Sequence, residues 1–208
     1  MTSGRRVATE KYEPQAAEWT ETAYADAATY LAHRAELVIS LGPPLRASDS
    51  VLDLACGDGG LAAFLPAGVR YLGVDASEAM VAAARARGVE AERADLNDYE
   101  PPQPVAATTC FRAIYYARNR RDFFERVAGY TERKLVFDLN PRQYELDDVR
   151  ADLVAAGFSR LELRPFFSPQ RVTLPGPVAA GLRALETTGF LAGLVLRFRF
   201  TYLCAASR

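Results

Sequence analysis

This sequence has few cysteines and almost no net charge, and each shortage excludes a class of protein. Cys56, Cys110 and Cys204 are odd in number and far apart, so they indicate reduced thiols in a cytoplasmic protein, not a disulfide framework or a metal site. The 25 basic and 26 acidic residues give a net charge of −1, so neither nucleic acid nor a membrane surface is an expected partner. No apolar run has transmembrane length. The first ten residues lack the apolar segment of a signal peptide.

The 208 residues, of which half are hydrophobic, predict one domain with a full core. Apolar periodicity with its flanking Gly and Pro residues divides the chain into alternating strands and helices. Predicted helices cover 19–41, 61–65, 77–88, 121–130, 147–156 and 178–185. Predicted strands cover 50–54, 69–74, 89–94, 105–111, 134–139, 159–167 and 194–205. This alternation favours an α/β fold in which a mostly parallel sheet has helices on both faces.

The segment VLDLACGDGG, residues 51–60, carries the strongest functional signal. A short apolar strand reaches Asp53, and small residues then turn the chain toward a predicted helix. This arrangement is typical of a nucleotide-like cofactor site at the carboxyl edge of a parallel sheet, where the backbone approaches the ligand closely. The next two predicted strands also end in acids, Asp75 and Asp95.

These segments resemble the class I S-adenosylmethionine-dependent methyltransferases, from about residue 24 to the C-terminus. VLDLACGDGG matches the first motif of that family, with Ala55 in place of its usual first glycine and Asp58 in place of a commoner small residue. YLGVDASEAM, ERADLND and KLVFDLNP match the regions of the second, third and fifth strands. The resemblance implies a Rossmann-like seven-stranded sheet whose last strand is antiparallel. It divides the single domain into an N-terminal helical cap (1–45), a cofactor-binding core (46–167), a lid (168–193) and a final strand (194–208).

The resemblance also implies a binding site for S-adenosylmethionine, which leaves as S-adenosylhomocysteine. Asp53 is expected to attract the ammonium group, Asp75 to accept the ribose hydroxyls, and Asp95 to bind the exocyclic amine of adenine. Arg34 is a candidate for the methionine carboxylate. The remaining residues predicted around the cofactor are Tyr24, Ala55, Cys56, Gly57, Gly59, Ala76, Met80, Leu96, Phe111 and Arg112. For Asp75 the alternative is a helix cap, for Asp95 a loop acid, and for Met80 a core position.

Methyl transfer is an in-line displacement at an activated carbon, so the reaction forces no particular catalytic residue. The candidates are Tyr115, Tyr116 and His33. The alternative for the two tyrosines is an ordinary core position, and the alternative for His33 is a place on the protein surface. Predicted substrate contacts are Tyr115, Tyr116, Arg142 and Tyr144, and Arg112 together with Arg142 suits an acidic acceptor. The short chain favours a small-molecule acceptor, such as a natural-product intermediate, and leaves open whether O, N or C is methylated.

Two other functions compete with methyl transfer. Residues 57–62 fit GxGxxA, which is found in nicotinamide-dependent oxidoreductases, although an acid at the end of the first strand is unusual there. A methyltransferase-like protein that uses the cofactor structurally, or for a rearrangement, is the other alternative. We predict a cytoplasmic protein that is a monomer or homodimer and holds no metal ion.

Overall fold

A seven-stranded sheet forms the centre of the computed structural model, which describes residues 13–196 and 201–208. The strands are β1 (Ser50–Leu54), β2 (Arg70–Asp75), β3 (Ala91–Arg93), β4 (Val105–Cys110), β5 (Thr131–Leu139), β6 (Arg160–Phe166) and β7 (Thr201–Ser207). Their order across the sheet is β3-β2-β1-β4-β5-β7-β6. β7 is antiparallel to both of its neighbours, and the other six strands run in one direction. The predicted fold class is therefore confirmed.

Seven α-helices are present in the described residues. They are α1 (Trp19–Ala23), α2 (Ala27–Ser40), α3 (Glu78–Ala86), α4 (Arg120–Tyr130), α5 (Leu146–Ala155), α6 (Gly176–Leu185) and α7 (Phe190–Leu196). Several of these helices are preceded by a short polar residue whose side chain accepts a hydrogen bond from the first turn. This contact is favourable because the first N–H groups of a helix lack partners within it. The Ser77 hydroxyl accepts from the Met80 N–H at 3.3 Å, as the sequence predicted, and Asn119 accepts from the N–H groups of Arg121 and Asp122.

Apolar cores lie on both faces of the sheet because successive strand residues point to opposite sides. Leu52 and Leu54 of β1 belong to the core that includes Phe123 of α4. Val51 precedes Leu52 and points to the opposite face, where it belongs to the core that includes Val38 of α2. Helices thus cover both faces, and the sheet edge formed by the strand ends remains available for a site.

The N-terminal helix is not continuous, contrary to the prediction for 19–41. α1 ends at Ala23, Tyr24 has an extended backbone, and α2 begins at Ala27. The Asp26 carboxylate accepts a hydrogen bond from the Thr29 N–H at 3.0 Å and so starts a second helix. A side chain that caps a helix competes with continuation of the helix through its own position.

The predicted last strand, 194–205, is wrong at both ends. Residues up to 196 belong to α7, and β7 runs from Thr201 to Ser207. A short apolar run fits a helix as well as a strand, so alternation alone did not separate them. Phe198 and Phe200, part of the predicted alternation, lie outside the described residues. The predicted helix at 61–65 is only a 3₁₀ turn, Ala62–Phe64.

A buried lysine joins the sheet to α2. The Lys134 ammonium donates to the carbonyl oxygens of Leu41 at 2.8 Å and of Ile39 at 3.2 Å. These carbonyls lie at the C-terminal end of α2, where a positive charge is favourable. Burial nevertheless lowers the pKa of Lys134 to about 8.

We expect this lysine to give a specific pH dependence of stability. Because its pKa is lower in the folded state than in the unfolded chain, the folded state holds fewer protons between pH 8 and 10.5, so its contribution to the free energy of unfolding rises with pH there. The difference in the free energy of unfolding between wild type and Lys134→Met, measured by urea titration, should therefore change by about 1–3 kcal/mol between pH 8 and 10.5. Parallel pH profiles for the two proteins would contradict the prediction.

Candidate functional site

A cavity of about 940 Å³ lies at the carboxyl ends of the parallel strands. Asp53 near the end of β1, Asp75 at the end of β2 and Asp95 after β3 all line it. The register explains this convergence, because Asp53 pairs with Gly73 and Asp75 pairs with Arg93. Three acids that are about twenty residues apart in sequence therefore border one space.

The loop after β1 bends through left-handed backbone conformations. Ala55, Gly57 and Gly59 have φ angles of 60°, 59° and 72°. Gly57 lines the cavity, and a Cβ there would lie 3.1 Å from the ring of Trp19. Ala55 adopts a conformation that favours glycine, at an energetic cost of about 1–2 kcal/mol. The residue that replaces the expected glycine is therefore strained.

Gly59 does not line the cavity, in contrast to its predicted role at the cofactor. A Cβ at this position would meet the side chains of Val89 and Ala84 at 3.1 to 3.3 Å. Its small size instead allows the loop to pack against α3. The prediction treated the glycines as equivalent, and only the three-dimensional path of the loop separates them.

The Asp53 carboxylate is buried and already holds two hydrogen bonds. Tyr71 donates to one oxygen at 2.7 Å and Thr109 donates to the other at 2.6 Å. Thr109 is the partner of Asp53 in β4, and Tyr71 lies on the same face of β2. Burial raises the pKa of Asp53 to about 6, although the two hydrogen bonds and the positive charge of Arg34 act in the opposite direction.

Asp75 connects the glycine loop to the start of α3. Its carboxylate accepts from the Gly57 N–H at 3.0 Å and from the Ser77 N–H at 2.9 Å. Burial raises its pKa, and these backbone donors limit the rise. Asp95 accepts from the backbone and the side-chain amide of Asn97 at 2.8 and 2.7 Å. Both carboxylates are thus fixed in orientation beside the cavity.

Arg34 lies within a set of aromatic rings at the cavity wall. Its guanidinium donates to the Tyr30 hydroxyl at 2.7 Å and lies 4.4 Å from the Phe111 ring centroid. Tyr24 stacks on Tyr30 with ring centroids 4.4 Å apart, and its hydroxyl accepts from Arg34 at 3.5 Å. The Arg34 Nε is buried and has no hydrogen-bond partner among the described residues. This charged group is buried beside a cavity, where a ligand anion would compensate its desolvation.

Asp58 fixes α1 on the glycine loop, a role that the sequence prediction missed. This buried carboxylate accepts from the Thr20 N–H at 2.9 Å and from the Thr20 hydroxyl at 2.6 Å. Arg87, the residue that follows α3, forms an ion pair with it at 2.9 Å and another with Glu21 at 2.8 Å. The replacement of a small residue by Asp58 was the available signal, but its partners are 38 and 29 residues away and follow no local pattern.

The structure brings most predicted site residues to the cavity. In addition to the three acids, Gly57 and Arg34, the lining includes Tyr24, Ala55, Cys56, Ala76, Met80, Leu96, Phe111, Arg112, Tyr115 and Tyr116. Residues that line it without having been predicted include Trp19, Thr20, Asp58, Asn97 and Arg118. Trp19 and Thr20 belong to α1, whose separation from α2 was not foreseen.

His33, Arg142 and Tyr144 are not brought to the cavity. His33 is buried between Ser168 and Glu186, at 2.7 and 3.0 Å from its two ring nitrogens, so it contacts the segment 168–193, which was predicted to be a lid, instead. Arg142 contacts Asn140 at an exposed turn. The ring of Tyr144 lies 5.6 Å from the Arg120 guanidinium and packs on the core. The predicted roles of these residues at the substrate therefore gain no support.

Neither a metal site nor a membrane-spanning helix is found in the part of the chain that the structure describes. No group of three or more His, Cys, Asp or Glu side chains is placed to hold a metal ion. None of the described helices combines the length and apolar character that crossing a membrane requires.

Comparisons with known proteins agree with this geometry. Residues 51–133 match the sequence family described as "Methyltransferase domain". No curated protein sequence is significantly similar to the chain. The matched range contains the glycine loop and all three acids of the cavity, which confirms the resemblance stated from the sequence.

Solved structures show the same fold. Magnesium protoporphyrin IX methyltransferase from Synechocystis PCC 6803, with bound S-adenosylmethionine, has a TM-score of 0.64 at 15% identity, covering 98% of this chain and 96% of that one. A chain from the complex of the Haloferax volcanii Trm112 methyltransferase activator with a methyltransferase has a TM-score of 0.64 at 20% identity, covering 94% and 96%. Haemonchus contortus phosphoethanolamine N-methyltransferase 2 has a TM-score of 0.57 at 16% identity, covering 85% of this chain and 51% of that one.

The contact between Thr20 and Asp58 is open to a direct test. Thr20→Val keeps the side-chain shape but leaves a buried oxygen of Asp58 without its donor, which should lower the free energy of unfolding by about 1–3 kcal/mol in urea titrations. Thr22→Val is the matched control on the same helix, because the exposed Thr22 hydroxyl bonds only to nearby carbonyls of its own segment. The control should lose less than about 0.5 kcal/mol. Equal losses for the two variants would contradict the assigned role of Asp58.

Proposed function

We propose, from the premise that residues 51–133 are a methyltransferase domain of the class I S-adenosylmethionine-dependent type, that this chain methylates a small-molecule acceptor. One observation carries the proposal: Asp53, Asp75 and Asp95 line a single cavity together with the glycine loop. An adenosyl sulfonium with a free amino group offers hydrogen-bond donors and positive charge to all three carboxylates.

The geometry supports a separate role for each acid. Asp75, next to the Gly57 N–H, is suited to accept the ribose hydroxyls. Asp95, with Leu96 beside it on the cavity wall, is suited to the adenine. Asp53 is the most buried of the three and is suited to the ammonium group. Arg34, whose buried Nε has no partner in the described chain, is suited to the methionine carboxylate.

Methyl transfer then requires alignment more than acid–base chemistry. The acceptor attacks the methyl carbon as the bond from that carbon to sulfur breaks, and the electron pair stays on sulfur as S-adenosylhomocysteine forms. The chain contributes by holding the two reactants in line and by excluding water. α1 closes the cavity over the glycine loop through Trp19 and Thr20.

Several observations favour a small acceptor. The cavity is of the size that encloses small ligands. Two structural neighbours are named for small-molecule methylation, of magnesium protoporphyrin IX and of phosphoethanolamine. The near-zero net charge agrees with this class of substrate. All three thiols are free, as in a reducing compartment such as the cytoplasm.

The nicotinamide alternative finds less support in the geometry. A dinucleotide fingerprint needs a helix that opens directly after the glycine loop and points its N-terminus at the pyrophosphate. Here that position holds only the 3₁₀ turn Ala62–Phe64, and Gly59 contacts α3 instead of the cavity. A rearrangement or a structural use of the cofactor is distinguished from methyl transfer by incubation with methyl-labelled S-adenosylmethionine and a panel of acceptors, because only methyl transfer moves the label to an acceptor.

S-adenosylhomocysteine should bind and raise the melting temperature of the wild-type protein. Asp75→Asn keeps the shape of the side chain but weakens its acceptor capacity toward the ribose, so the dissociation constant measured by calorimetry should rise about 10- to 100-fold, an energy of about 1.4–2.8 kcal/mol. Asp147→Asn is the control, since this acid is exposed on α5 and pairs with Arg150. Absence of binding by the wild type at millimolar ligand would overturn the proposed function.

The affinity for S-adenosylhomocysteine should also depend on the protonation of Asp53. Burial raises the pKa of Asp53 to about 6. The carboxylate that attracts the ammonium group is therefore ionised above this pH, and its negative charge is lost as the pH falls through it. Calorimetry should show weaker binding at pH 5 than at pH 8. Asp53→Asn should bind more weakly at pH 8 and should show a flatter profile. An unchanged slope in this variant would exclude Asp53 as the titrating group.

A further inference from the structure

One wall of the cavity consists of Trp19 and the segment that follows β4. Arg112, Tyr115 and Tyr116 belong to this segment, and all three line the cavity together with Trp19. In the assignment above, the cofactor's charged groups interact with Asp53 and Arg34. The surface formed by Arg112, Tyr115 and Tyr116 is therefore a candidate surface for the second reactant.

The backbone at Arg112 is held in an unfavourable conformation. Its φ angle is 54°, in the left-handed region that favours glycine. The Asp138 carboxylate accepts from the Arg112 N–H at 2.7 Å and stabilises this turn. Such strained positions persist where the surrounding structure fixes them, and they occur often at ligand clamps. Here the turn aims an arginine side chain at the cavity.

The side chains of this wall combine aromatic surface with a positive charge. The Arg112 guanidinium lies 5.7 Å from the centroid of the Trp19 ring. The ring centroids of Tyr115 and Tyr116 lie 4.3 Å apart, and the two residues remain 49% and 36% exposed. Guanidinium groups bind carboxylates and phosphates through paired hydrogen bonds, and tyrosine rings stack on planar ligands.

We infer that Arg112 is the specificity-determining residue for the acceptor and that it binds a carboxylate or phosphate group of a ring-bearing molecule. The ring of that molecule lies against Tyr115 and Tyr116. This inference rests on the proposed function and names its substrate class. Arg112 was predicted both around the cofactor and, with Arg142, at an acidic acceptor; it is assigned here to the acceptor. Of these two arginines, only Arg112 lines the cavity.

The chain contains its own reporter for this site. Trp19 is the single tryptophan of the sequence, and it lies next to the Arg112 guanidinium. Benzoate, phenyl phosphate and the neutral benzamide can therefore be titrated into protein saturated with S-adenosylhomocysteine while tryptophan fluorescence is recorded. Benzoate or phenyl phosphate should bind at least about tenfold more tightly than benzamide, and the tighter of the two identifies the acidic group.

Variants locate the preference on one side chain. Arg112→Gln should remove the preference for the charged probes while calorimetry still detects S-adenosylhomocysteine. Arg112→Lys, which keeps the charge but loses the planar fork, should retain part of it and also serves if the glutamine variant fails to fold. Arg142→Gln is the matched control, because Arg142 is an arginine at an exposed turn that does not line the cavity. It should keep the preference.

The outcomes separate this inference from the proposed function. If the wild type binds S-adenosylhomocysteine but binds benzamide as tightly as both anions, the inference is overturned and the function stands. An unchanged preference in Arg112→Gln, or its loss in Arg142→Gln alone, has the same consequence. Loss of S-adenosylhomocysteine binding in a folded Arg112→Gln variant would place Arg112 at the cofactor and also overturn the inference. If the wild type does not bind S-adenosylhomocysteine, both proposals fail together.

Discussion

The parallel register of the first three strands is the constraint on which the site depends. Asp53 is paired with Gly73, and Asp75 is paired with Arg93. On each successive strand the acid therefore lies two residues beyond the partner of the preceding acid, at the same edge of the sheet. Parallel pairing is possible only because helices connect the strands and cover both faces. The two apolar cores therefore do more than stabilise the sheet, since they fix the positions of charges that the chain could not otherwise bring together.

Concentrating carboxylates at one edge has an electrostatic cost, which the structure offsets residue by residue. Asp53 receives hydrogen bonds from Tyr71 and Thr109, and Asp75 receives two from backbone N–H groups. Asp58 is offset by Thr20 and by Arg87. Burial still raises the pKa values of Asp53 and Asp75. A cationic ligand would relieve this remaining desolvation, so the cavity is electrostatically prepared for one.

The fold and the acids of the site could be predicted because their signals are local. Strand periodicity, the glycine loop and acids at strand ends are read within windows of about ten residues. The contributions of Asp58, Trp19 and His33 could not be read in this way, because their partners are far away in sequence: Thr20 for Asp58, the glycine loop for Trp19, and the lid for His33. The break at Asp26 was also missed, because a capping residue and an ordinary helix residue look alike until the backbone is known.

The helix α2 contacts both the cavity and the segment 168–193. His33 on this helix contacts Ser168 and Glu186 of the lid segment, while the next residue, Arg34, faces the cavity. The break before α2 is held by the same segment, since the Ala25 N–H donates to the Gln170 carbonyl at 2.9 Å. Because neighbouring helix residues diverge by about 100°, one turn serves both surfaces. A displacement of residues 168–193 would therefore be transmitted through α2 to the Arg34 guanidinium, which ties this segment mechanically to the cavity.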